Sequence, residues 1–179
     1  VKKQVNFYHL LMLFFGLFLI EYVHCQQVEE RHLLGAINKT ALKNSTYQWY
    51  HNNYENYKVD TLTLRPIHNL KGKYLFKLFM ATWCSDSKSF VPKFLKIFDF
   101  LGIPNNRLEI IAVNKDKSYP QKLLSQYGVV YLPTLIIVKR NKEVNRIEEF
   151  SVASIEKDMV QILTSEKYTP FHQRKWFNN

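Results

Sequence analysis

The chain has 179 residues, of which 46% are hydrophobic, 15% aromatic and 22% charged, with 25 Lys and Arg against 15 Asp and Glu. That mixture excludes a disordered chain and a polytopic membrane protein, and 5 Gly with 6 Pro exclude collagen-like or linker-dominated sequence. Two cysteines are too few for a disulfide-stapled miniature or for a closed zinc site built mainly of cysteine.

Lys2 and Lys3 precede an apolar run over residues 7–20, and Val23, His24 and Cys25 lead into the polar Gln26-Gln27. A basic start, a short apolar stretch and a small-residue exit predict a secretory signal peptide over residues 1–25, with cleavage after Cys25. The run is shorter than the roughly 20 residues a spanning helix needs, so no integral membrane span is expected after cleavage. A retained anchor and a lipidated Cys25 fit less well, because Tyr22 and His24 stand where a lipoprotein signal carries an aliphatic and a small residue. The expected location is secreted or periplasmic, and Cys84 is then the sole thiol.

Residues 26–70 form a polar amino-terminal extension in which Tyr47, Tyr50, Tyr54 and Tyr57 fall on one helical face. Packing of that face on the following domain is expected, with an aromatic platform for sugars or bases as the alternative. Asn38-Lys39-Thr40 and Asn44-Ser45-Thr46 match the glycosylation acceptor pattern.

A compact domain is predicted over residues 71–165. Residues 74–80 read as a strand covered on both faces, and residues 85–101 as a helix with Phe90, Phe94, Ile97, Phe98 and Leu101 along one stripe and Gly102 as its stop. Residues 108–113 form a second strand, and residues 119–127 a short helix with Pro120 in its first turn and Gly128 at its end. Residues 134–138 and 143–150 form a hairpin, and a last helix capped by Ser151 carries Val152, Ile155, Met159, Ile162 and Leu163. Strand, helix, strand demands a parallel pair with a right-handed crossover, to which the hairpin adds antiparallel strands at one edge. The fold class is therefore α/β: a central mixed sheet with helices on both faces, plus a helical extension. Residues 166–179, basic and aromatic, are expected to be loosely held.

Cys84 falls where the first strand gives way to its helix, a place where α/β sheets present functional groups. Unpaired N–H groups and the helix dipole there favour an anion, so a thiol becomes a better nucleophile. Met80 to Lys88 reads MATWCSDSK, Pro92 lies eight residues after Cys84, and residues 128–144 read GVVYLPTLIIVKRNKEV. The first segment resembles the thioredoxin active-site pattern W-C-x-x-C-K, Pro92 matches the proline that bends the thioredoxin helix, and Leu132-Pro133-Thr134 falls on the thioredoxin cis-proline motif. The chain thus resembles the thioredoxin-like superfamily, and more narrowly a secreted bacterial thioredoxin family protein with W-C-x-x-S in place of W-C-x-x-C. The resemblance implies a cis Pro133, a catalytic pair Cys84 and Ser87, and a substrate surface of Trp83, Ser85, Asp86, Leu132, Pro133 and Thr134 beside an extended substrate strand.

Two positions depart from the family pattern. Ser87 replaces the resolving cysteine, and Leu78, next to Lys77, stands where thioredoxins bury an acid. A dithiol enzyme resolves its mixed disulfide with its own second thiol, which Ser87 cannot do, though its hydroxyl can donate to a thiolate. The expected function is monothiol thiol–disulfide exchange on exported proteins or small mixed disulfides, with an external thiol as reductant. The alternative is a non-catalytic module that binds extended peptides at the Pro133 ledge. No glycine-rich phosphate loop or G-x-S-x-G elbow is present. His32, His51, His68 and His172 lack metal-ligand spacing and read as solvated, so no metal and no haem, flavin or nicotinamide cofactor is expected, nor nucleic acid.

Overall fold

The computed structural model describes residues 31–70 and 72–175. The signal-peptide segment and the last four residues lie outside the described residues. Five strands form one sheet in the order β1-β3-β2-β4-β5. They are β1 (Gly35–Ile37), β2 (Leu75–Met80), β3 (Leu108–Ala112), β4 (Thr134–Lys139) and β5 (Lys142–Glu148). β2 and β3 run parallel, whereas β2–β4, β4–β5 and β1–β3 pair antiparallel. The parallel pair and the antiparallel hairpin at one edge follow the sequence reading. β1 is an addition: the extension supplies an edge strand as well as helices, and three residues are too few to show periodicity.

The helices are α1 (Lys39–Leu42), α2 (Gln48–Asn56), α3 (Ser85–Leu101), α4 (Gln121–Tyr127) and α5 (Ile155–Leu163). β2 shows why both sheet faces are covered. Phe76, Leu78 and Met80 point into a large core with α3 and α5, while Phe79 points into a smaller one with Leu124 of α4. Alternation with period two splits one apolar run between two layers. α3 buries Phe94, Leu95, Ile97, Phe98 and Leu101, and it stops at Gly102, whose φ of 63° suits a residue without Cβ. The Ile103 N–H closes that end on Phe98 O at 2.9 Å.

α2 lies along α3 and buries Tyr50, with Tyr47 beside its start. Tyr54 and Tyr57 pack partly buried against the same core, which leaves no free aromatic platform on this face. Burial, with the charges of Asp99 and Glu55 nearby, pushes the Tyr50 phenol up to about 12. Lys96 of α3 donates to the carbonyls of Tyr54 and Glu55, placing a cation at the C-terminus of α2.

The structure corrects several of these readings. The last helix is capped by Ser154, whose hydroxyl accepts the Lys157 N–H, and not by Ser151. Asp158 inside that helix is buried because its carboxylate accepts the Val152 and Ala153 N–H groups at 2.6 and 3.2 Å and the Tyr168 hydroxyl at 3.0 Å. α4 begins at Gln121, after a cis Tyr119–Pro120 bond. The segment after α5 is also packed rather than loose: Tyr168 and His172 are buried, the latter stacked on Tyr131 with ring centroids 3.5 Å apart and planes 5° from parallel. His172 is therefore not a solvated histidine.

Candidate functional site

Cys84 is the N-cap residue of α3, in extended backbone conformation, with a side chain that makes no capping bond. Its carbonyl accepts the Lys88 N–H at 3.0 Å and its own N–H donates to Ala81 O at 3.2 Å, so both backbone groups are used while the sulfur is left for other partners. The half-buried thiol donates to Leu132 O at 3.6 Å. It is a free thiol.

Leu132–Pro133 is a cis bond, as expected from the resemblance. The turn is closed by the Thr134 hydroxyl donating to Tyr131 O at 2.7 Å and by the Glu149 N–H donating to Pro133 O at 2.7 Å. The cis turn and the start of α3, 48 positions apart in the chain, thus meet at the sulfur. Leu132, Pro133 and Thr134 are largely covered, Trp83, Cys84 and Asp86 are half-buried, and Ser85 is exposed.

Trp83 is held by its indole N–H, which donates to Val113 O at 2.8 Å. Ser87, one helical turn after Cys84, is fully buried, and its hydroxyl oxygen accepts the Ala81 N–H at 3.1 Å. Its own proton can still be offered to a second acceptor. The Lys88 ammonium lies 5.9 Å from the Trp49 ring centroid. Leu78 is wholly buried in the apolar core, and the adjacent Lys77 pairs with Glu109 across β2 and β3.

Sequence reasoning missed several contributors. Thr82, fully buried two residues before Cys84, accepts the Leu33 N–H at 3.2 Å and lies 3.3 Å from His32 Nδ1. Lys117 donates to Val130 O at 2.6 Å, joining the β3–α4 loop to the cis-proline loop. None of these has a periodic or motif signal. Among the described residues no three His, Cys, Asp or Glu side chains gather to hold a metal ion, and no helix is long and apolar enough to cross a membrane.

A family sequence model described as Thioredoxin matches residues 66–164. The chain belongs to the thioredoxin family, with residues 31–65 and 165–175 lying outside the matched span. It is 30% identical over 93 residues to the thioredoxin of Echinococcus granulosus, covering 51% of this chain and 80% of that protein. It is 35% identical over 77 residues to the 5′-adenylylsulfate reductase-like 4 protein of Arabidopsis thaliana, covering 43% of this chain but spanning only 23% of that protein's length. Among solved structures, Fasciola hepatica thioredoxin matches at 23% identity and a TM-score of 0.38, covering 57% of this chain and 89% of that one.

Proposed function

We propose that this chain is a monothiol thiol–disulfide exchanger with Cys84 as nucleophile, acting on exported proteins or small mixed disulfides. The observation that carries the reading is the meeting of a half-buried free thiol at the start of α3 with the carbonyl preceding cis-Pro133, while a serine occupies the resolving position. The Cys84 sulfur, having lost its proton to solvent, attacks one sulfur of a substrate disulfide. A new S–S bond forms to Cys84 and the other substrate sulfur leaves as thiolate. An external low-molecular-weight thiol then attacks the mixed disulfide and releases Cys84. Each step exchanges one S–S bond for another, and the external thiol supplies the electrons. Ser87 donates its hydroxyl proton to the thiolate, and Trp83, Ser85, Asp86 and the Leu132–Thr134 turn receive the substrate chain. The secretory address read from residues 1–25 supports an exported substrate.

A second reading, a non-catalytic peptide-binding module, is favoured by Leu78, fully buried where the family keeps its proton-transfer acid. Whole-protein mass spectrometry with peptide mapping after exposure to oxidised glutathione separates the two. Exchange predicts a Cys84–glutathione adduct that reduced glutathione removes. An unmodified Cys84 in the folded protein, with modification only after denaturation, contradicts it.

A further inference from the structure

His172, outside the span that matches the family, touches both flanks of the cis-proline turn. Its ring stacks on Tyr131, the residue before Leu132, at 3.5 Å and 5°. Its Nε2 shares a hydrogen bond with Glu149 Oε2 at 2.6 Å, and the Glu149 N–H in turn donates to Pro133 O. Tyr131 also supplies the carbonyl that takes the Thr134 hydroxyl, so immobilising its ring immobilises the backbone on which Leu132 is presented.

The segment that delivers His172 is anchored independently. The Tyr168 hydroxyl donates to Asp158, Asn145 Nδ2 donates to Tyr168 O at 3.0 Å, and Phe171 meets Phe150 edge-on at 5.3 Å. Removing the imidazole leaves these anchors in place and takes away its grip on the turn, together with its ring contacts to Phe171 and Phe150 at 5.3 and 6.5 Å.

We propose that His172 is a positioning residue that holds the Leu132–Pro133 ledge in the orientation that receives an extended chain beside Cys84. The proposal rests on the exchange reading above. A ledge fixed before binding spares the ordering cost that a loose one would incur, so the effect falls on extended substrates and spares small disulfides.

The test compares two probes in single-turnover reaction with the reduced full chain, subtracting the reaction of a Cys84→Ser control. One is dithiobis(nitrobenzoate); the other is a Val-Thr-rich peptide whose single cysteine carries a thionitrobenzoate. In both, Cys84 attacks, an S–S bond forms to it, and thionitrobenzoate leaves as the coloured thiolate. His172→Ala is expected to lower the peptide-to-reagent rate ratio about tenfold, the order expected for losing one aromatic stack and one hydrogen bond. His172→Phe, which keeps the stack, is expected to recover most of it. An unchanged ratio in His172→Ala, or a Phe variant no better than Ala, overturns the proposal alone. A wild-type protein that shows no preference for the peptide overturns the exchange-at-the-ledge reading, and the proposal with it.

Discussion

The side-chain amide of Asn53 donates to the main-chain carbonyl of Lys88 at 3.1 Å. Lys88 is four residues before Pro92, so this is the carbonyl whose helical partner the proline removes. A residue of the extension thus satisfies an acceptor that the family's helix proline leaves open, one turn after Cys84. Asn53→Ala should cost about 1 kcal/mol in urea unfolding by removing this partly buried hydrogen bond. In a Pro92→Ala background, where residue 92 regains its N–H, the same substitution should cost markedly less. Equal costs in the two backgrounds would show that the bond contributes nothing specific.

Ser87 has a structural duty beside its proposed chemical one. Because its buried hydroxyl accepts the Ala81 N–H, Ser87→Ala should destabilise the fold by about 1–3 kcal/mol, the cost of an unsatisfied buried donor. Denaturant midpoints at constant m-value measure this. A neutral Ala variant would mean that Ala81 N–H finds another partner.

Burial raises the Asp158 carboxyl above its usual range, against the lowering effect of the Val152 and Ala153 N–H groups and the Tyr168 hydroxyl. The folded chain then keeps this proton to higher pH than the unfolded chain. The stability contributed by the group is complete below about pH 3.9, falls as pH rises through the raised value, and is constant above it. Measured against Asp158→Asn, which does not titrate, wild type should lose relative stability across that window. A relative gain with rising pH would contradict this assignment.

The legible parts of the fold were those with long, regular signals. α3 runs from Ser85 to Leu101 as its apolar stripe and Gly102 predict, and the cis-proline turn follows from a motif around Pro133. What escaped was set by contacts distant in sequence. β1 is three residues long and exists because β3 offers it an edge, with Gly35 opposite Ala112. Ser154 and Ser151 are equally good caps by composition, and the register of α5 against its core decides between them. His172 carries no periodic signal, and its burial depends on a ring 41 positions earlier that only the folded turn presents. At the site, Cys84 and the turn were readable as separate motifs, whereas the 3.6 Å approach of sulfur to Leu132 O and the Ala81 bond of Ser87 required the fold.

The central claim is that the site around Cys84 is competent for thiol–disulfide exchange and lacks only a resolving thiol. Insulin reduction by Ser87→Cys with a thiol-recycling reductant tests it most directly. The account predicts that the variant gains dithiol reductase activity that wild type lacks, because a second thiol one helical turn from Cys84 can release the mixed disulfide. A folded Ser87→Cys protein that remains as inactive towards insulin as wild type would show that the rest of the site is not catalytic, and would contradict the account.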